Sequence, residues 1–321
     1  MTQVIIHIGT QKTGSTAIQS ALFSNAEALE PLGYHFVKAG RRRAAHNHIA
    51  VSSRGPEIGA LLDEVVAEID AAPDKIHILS SEMFFRTSIA ETLAAAFPDR
   101  LKDNIKFIAY VRRQDKFLEA MYKQLLKNGR FRGTPAEFVE KKQHSAAYTQ
   151  VLDVFARHFG QAALSVKPFE RRLFDGGDVV RDFLKELGVP EAASASWSYA
   201  HSNVTLSREA SQILGQMSRN TDINTRQLIR FLARKRPEGA VRTGDCFQPS
   251  ERRALMRLYR EDNAQLKSKY CPQFDPMFDE SDIAPGVPDE APSREETAAR
   301  REAALRAVMR ALGKTHTSTV R

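Results

Sequence analysis

Apolar residues fall into two alternating arrangements along this chain, and the alternation predicts its fold. Consecutive apolar positions occur in QVIIHI (residues 3–8), KIHILSSE (75–82), NIKFIAYVRR (104–113) and ALSVKPFE (163–170), with GYHFVKA (33–39) a weaker run of the same kind. Apolar residues on consecutive positions, without clean alternation, are what parallel strands covered on both faces show. Between them lie segments with a 3.6-residue period, at 15–29, 58–71, 89–97, 114–128, 135–159 and 177–187. Gly188 stops the last of these, with Pro190 beyond it. Strand and helix in alternation predict a three-layer α/β/α domain with a mostly parallel sheet.

From about residue 202 the pattern is helical throughout, at 206–217, 226–232 and 250–270. This reads as a helical cover belonging to one α/β domain over 1–278. Residues 279–292 are rich in Pro, Asp and Glu and read as a linker. Ser293 and Glu296 then form a capping box, opening a C-terminal helix and tail over 293–321. Leu305, Val308, Met309 and Leu312 make one stripe on that helix, and Gly313 is its expected end. Such a helix either docks on its own domain or binds a partner.

The composition, 42% hydrophobic and 27% charged, is that of an ordinary globular protein. Two cysteines, Cys246 and Cys271, are too few for a disulfide framework or a Cys-rich metal site. No apolar run is long enough to span a membrane, and the first segment reads as a strand, not a signal peptide. The expected location is the cytoplasm. A formal net charge of +8 points to anionic partners. The basic clusters lie far apart, and no nucleic-acid-binding motif accompanies them, so no nucleic-acid partner is expected.

The chemistry concentrates in IIHIGTQKTGSTAIQSAL, residues 5–22. Gly9 and Gly14 lie five apart after an apolar strand, with Ser15 and Thr16 behind them and a helix following. Strand, glycine turn and helix form the setting of a phosphate-binding loop, where backbone N–H groups and the positive helix end meet an anion. A nucleoside triphosphatase would carry lysine directly after the second glycine. Here that position is Ser15, and the lysine is Lys12, inside the loop. The arrangement suits one phosphate with a further group attached beyond it.

GTQKTGST resembles the 5′-phosphosulfate loop of sulfotransferases that use 3′-phosphoadenosine 5′-phosphosulfate (PAPS). AYVRRQDKFLEAMYKQLLK (109–127) is similar to the strand and helix that hold the 3′-phosphate in that family. SSEMFF (80–85) looks like the strand end where its glycan-type members carry a catalytic glutamate. The resemblance runs over about residues 3–275. It implies PAPS as co-substrate without a metal, and a carbohydrate or other hydroxyl- or amine-bearing acceptor. It further implies that Gly9, Gln11, Lys12, Thr13, Gly14, Ser15 and Thr16 hold the 5′-phosphate, and that Lys12 stabilises the leaving group.

The same resemblance makes Arg112 the 3′-phosphate ligand and Glu82 the base; independently of it, His46 or His48 in AAHNHIA is the alternative base. Two departures stand out. The family's proline two residues after the arginine is Gln114, and its 3′-phosphate serine is Ala120. Tyr122, Lys123 or the basic stretch 234–242 could replace the lost donor, and VRTGD with Arg242 resembles a late element of the family. A nucleotide kinase with a degenerate loop and a non-catalytic polyanion- or nucleic-acid-binding protein are the competing readings.

Overall fold

The computed structural model describes every residue except Met1, Ser196, Ser198, 200–203, Ala291 and 317–321. The chain runs β1 (Gln3–Gly9), α1 (Ser15–Ser24), α2 (Ala26–Leu29), β2 (Tyr34–Phe36), α3 (Asn47–Ser52), α4 (Ile58–Asp70), β3 (Ile76–Ser80), α5 (Thr87–Ala96) and α6 (Asp99–Lys102). It continues through β4 (Ile105–Val111), α7 (Gln114–Lys127), α8 (Pro135–Lys142), α9 (Tyr148–Phe159), β5 (Leu164–Pro168), α10 (Val179–Leu187) and α11 (Glu191–Ser194). The helices α12 (Arg208–Asn220), α13 (Thr225–Lys235), α14 (Pro249–Leu258), α15 (Arg260–Tyr270) and α16 (Arg294–His316) complete it. No described helix is long and apolar enough to cross a membrane.

Contacts divide the chain into two compact units. The first takes in 1–113, 147–202 and 261–279 and holds the sheet. All five strands are parallel, in the order β2-β3-β1-β4-β5. On one face Ile5, Ile78, Ile108 and Tyr110 pack against Ile18 and Leu22 of α1 and Val180, Phe183 and Leu184 of α10. On the other, Phe107 meets Phe155 and Phe159 of α9 edge-on and tilted, both at 4.8 Å between centroids. Burial on both faces explains the consecutive apolar positions of β1, β3 and β4, and the expected three-layer α/β/α architecture is what forms. The central strand is β1; the chain builds β2 and β3 on one side of it and then crosses to β4 and β5 on the other. Ligands of open α/β sheets bind at the carboxyl ends of strands around such a switch point.

The second unit comprises 114–146, 203–260 and 280–321 and is all-helical. Leu206, Ala210 and Leu214 share a core there with Leu228 and Leu232 of α13 and Ala304, Ala307, Val308 and Ala311 of α16. The C-terminal helix therefore docks within its own unit, but through a different stripe from the one expected. Alanines and Val308 face inward, whereas Leu305 and Met309 are exposed at 47% and 56%. Close helix packing favours small side chains, so the larger residues lost the core to alanine. The capping box at Ser293 and Glu296 is present, but the helix runs through Gly313 to His316.

Other expected helices break. Residues 135–159 form α8 and α9 with a turn between them, and 250–270 form α14 and α15. The segment read as a linker is packed: Ile283 is buried, Arg253 donates to the Ala284 and Val287 carbonyls, and Ser250 donates to Asp289.

A buried ion network fixes α7 in the second unit. Arg252 of α14 donates to Asp115 at 2.8 Å and to Glu119, and Lys123 pairs with Glu119 at 3.2 Å and with Asp245. Burial acts to raise the Glu119 pKa, but the fields of Lys123 and Arg252 outweigh it and hold it below the usual value. Removing Arg252 would leave two buried carboxylates short of a counter-charge. Arg252→Met is expected to destabilise this unit by about 3–5 kcal/mol, the usual cost of breaking a buried pair, as read from thermal or urea unfolding of the full chain.

In the first unit His7 and His46 are fully buried, and burial pushes their pKa values down to about 3 and about 4. Folding therefore holds both neutral, while the unfolded chain takes up protons near the ordinary value of about 6.5. Their contribution is intact above that value and is lost as pH falls from it towards the folded values. Between pH 6.5 and 5 each should remove roughly 2 kcal/mol. Urea midpoints of the full chain at pH 7 and 5 check this, and an unchanged midpoint contradicts it.

Candidate functional site

The turn after β1 is built by glycine geometry and locked by both neighbouring strands. Gly9 has φ +100°, and a Cβ there would stand 3.0 Å from the Glu82 Cα and 3.2 Å from its carbonyl oxygen. Gly14 has φ +78°, and a Cβ would meet Val179 of α10 at 2.7 Å. Alanine at either position meets both a strained backbone and a collision. Those are the two glycines whose spacing marked the loop in the sequence.

Between them Lys12 takes φ +64°, a left-handed conformation costing a non-glycine residue about 1–2 kcal/mol. The neighbours hold it there. Arg112, just past β4, donates Nη1–H to the Lys12 carbonyl at 2.9 Å. The Thr10 N–H donates to the Tyr110 carbonyl of β4 at 2.8 Å, and the buried Thr13 hydroxyl donates to the Thr10 carbonyl at 2.6 Å. Thr13 is thus spent on the shape of the turn. The Phe169 ring lies 5.8 Å from the Arg112 guanidinium and within van der Waals reach of the Gly14 position.

Helix α1 starts on Gly14 without any side-chain cap. Its first internal bonds run from the Ala17 and Ile18 N–H groups to the Gly14 carbonyl. The earlier N–H groups of the first turn have no intrahelical acceptor, which is what makes a helix start attractive to an anion. Ser15 is buried and Thr16 is exposed. Gln11 and Lys12 are both half-exposed.

Glu82 follows β3 by two residues and is partly exposed. Its Oε2 accepts from Gln19 Nε2 at 2.7 Å. Gln19 belongs to α1, one turn after Ser15, and is itself buried. The helix that follows the loop therefore orients the carboxylate at the neighbouring strand end. Ser81 is fixed beside it by its N–H to the His7 carbonyl and by its hydroxyl to Asn47 Oδ1 at 2.5 Å. Asn47 opens α3, and His48 comes next on that short helix, half-exposed.

His46 stands differently. The Ser80 N–H donates to its Nδ1 at 3.0 Å, so Nε2 carries the proton and donates to the Val37 carbonyl at 2.9 Å. Both ring nitrogens serve the sheet, which leaves His46 a structural residue. This corrects its reading as an alternative base. Gln19, Asn47 and Phe169 were missed from the sequence. The only trace was a glutamine on the apolar face of α1, between Ile18 and Leu22.

Gly9 to Thr16, Glu82, Arg112 and His48 all belong to the first unit. Arg242 belongs to the second, in a loop whose backbone accepts from Lys123 at the Arg242 carbonyl and donates from Gly244 to Glu119. The proposed replacements for the serine lost at Ala120 are corrected by their placement. Lys123 is committed to the buried ion network, and the buried Tyr122 donates to the Gly133 carbonyl. Arg113, beside Arg112, is fully buried and donates to the Asp279 carbonyl. Among the described residues, side-chain atoms of Glu119, Asp245 and Cys246 lie within 4.8 Å of one another. The Lys123 ammonium pairs with two of these three groups, so the cluster already has its cation.

No family model matches the chain. It is 30% identical over 201 residues to an uncharacterized protein of Archaeoglobus fulgidus, a match covering 60% of this chain and spanning about half (53%) of that relative's length. Among solved structures it is similar to a sulfotransferase from Alicyclobacillus acidocaldarius, with a TM-score of 0.47 and 14% identity over 82% of this chain and 94% of that one.

Proposed function

We propose that this chain transfers a sulfuryl group from PAPS to a hydroxyl or amine of a carbohydrate acceptor. The observation that carries the reading is the position of Lys12: inside a two-glycine loop at the switch point of the sheet, braced by Arg112 and beside the strand end that bears Glu82. A lysine within the loop stands where the group beyond a bound 5′-phosphate would lie. The reaction needs charge there, and it needs no β,γ-phosphate pair.

In the proposed reaction the acceptor oxygen bonds to sulfur as the bond from sulfur to the bridging oxygen breaks in line with it. Adenosine 3′,5′-bisphosphate leaves with the electron pair. The Lys12 ammonium stabilises the charge that develops on the bridging oxygen. The loop backbone, with Gln11, Ser15 and Thr16, supports the 5′-phosphate, and the buried Thr13 shapes the turn. Arg112 supplies a planar guanidinium to the 3′-phosphate while bracing Lys12. Glu82 takes the acceptor proton, and Gln19 is its positioning residue. His48 is the second candidate base. Arg242 is not assigned to this site. The carbohydrate acceptor rests on the resemblance of SSEMFF, with Glu82, to the strand end of glycan-type sulfotransferases.

Labelled-sulfate transfer from PAPS to a panel of glycans and phenols tests the proposal. Lys12→Ala is expected to lower kcat by about 10²–10³ and Glu82→Gln by about 10²–10⁴. Calorimetry with adenosine 3′,5′-bisphosphate should show binding to the wild type and to Glu82→Gln, with weaker binding to Arg112→Ala. Undetectable binding to the wild type sinks the reading. Full turnover by Glu82→Gln transfers the base role to His48, to be read from His48→Ala.

A further inference from the structure

The second unit carries a basic groove that the proposed reaction leaves unused. It consists of two adjoining spaces of about 660 and 380 Å³, each of the size that holds a small ligand. Six cationic side chains line it: Arg130 and Arg132 from the loop after α7, Lys141 of α8, Arg208 and Arg219 of α12, and Arg301 of α16. None of the six has a carboxylate within ion-pair distance among the described residues. The two carboxylates on the walls are Glu137 and Glu209, and Glu137 is bound into the capping box of its own helix with Thr134. Six cations against two carboxylates leave the walls positive, and an anionic ligand is what would offset the remaining repulsion.

The walls are ordered for contact along a line. Arg208, Gln212, Gln216 and Arg219 occur at steps of four, four and three residues, one face of α12. Thr297 and Arg301 repeat the four-residue step on α16. The opposite face of α12 is buried through Ala210 and Leu214. Gly215 lets the α7 backbone approach so closely that a Cβ would strike the Leu126 carbonyl. One side of the groove is therefore a closely packed helix, and the other includes the loop after α7.

Uncharged hydrogen-bonding groups, Gln212, Gln216 and Thr297, lie among the cations. That mixture matches a ligand with both anionic and hydroxyl groups. A single-stranded nucleic acid would call for stacking rings, and Phe131 is the one partly exposed ring on these walls, with Lys141 already 5.7 Å from it. We infer that this groove binds an acidic oligosaccharide, a sugar chain bearing carboxylate or sulfate groups. The inference stands on the second unit alone and does not require the first to transfer sulfuryl groups.

The test titrates the full chain, by calorimetry, with a sulfated uronic-acid tetrasaccharide. A neutral glucose tetrasaccharide and an oligoribonucleotide of equal charge serve as comparisons. Arg132→Gln, Arg219→Gln and Arg301→Gln, singly and together, are compared with Arg310→Gln, an exposed arginine of α16 outside the groove. The triple variant should lose about tenfold or more in affinity, and the wild type should bind more weakly as salt rises. Arg310→Gln should bind as the wild type does. Unchanged circular dichroism and bisphosphate-nucleotide binding show that the variants are folded, and the single variants carry the test if the triple does not fold. Equal loss in Arg310→Gln, equal binding of the neutral sugar, or tighter binding of the oligoribonucleotide overturns the inference. Failure of nucleotide binding in the wild type would instead count against the proposed reaction alone.

Discussion

The first unit depends on how tightly the turn after β1 is clamped between the two strands beside it. Gly9 is pressed against the Glu82 backbone on one side, and the Thr10 N–H is tied to the Tyr110 carbonyl on the other. Arg112 closes the clamp by holding the Lys12 carbonyl. Each contact requires the strand order in which β1 lies between β3 and β4. A different order would separate the lysine, the carboxylate and the arginine, whatever their local geometry.

This clamp explains several residues that chemistry alone would not. Thr13 is buried to bond the loop to itself. Gln19 is buried in an otherwise apolar helix face because it must reach the Glu82 carboxylate. His46 completes the edge of the sheet at Ser80 and Val37, and the His7 ring bonds the Ser80 hydroxyl at 2.8 Å. Each of these side chains is paired through at least one atom, although His7 Nε2 has no hydrogen-bond partner among the described residues. Pairing of this kind in turn fixes the backbone that presents Glu82.

The second unit solves a different problem with the same means. Its buried charges are matched within a small network of Arg252, Lys123, Asp115, Glu119 and Asp245. Its groove cations have no carboxylate within ion-pair distance among the described residues. Charge count alone could not separate these two populations, since both contribute to the same net charge. Burial separates them, because an unmatched charge is tolerable in water and costly in a core.

Local sequence determined the strands, most helices, the two-glycine turn and the position of Lys12 within it. These follow from periodicity, from glycine's freedom at positive φ and from spacing, all of which act over a few residues. It also placed Glu82 and Arg112 at strand ends. The helix breaks between α8 and α9 and between α14 and α15 carry no glycine or proline and were not legible. Tertiary structure decided which strands became neighbours, and hence that Arg112 braces Lys12 and that Gln19 holds Glu82. It turned the alanines of α16 inward in place of Leu305 and Met309, and it committed His46 and Lys123 to the interior. Those outcomes depend on partners up to more than a hundred residues away along the chain. A residue's own neighbours in sequence carry no record of which distant group will bury it, pair with it or leave it in water.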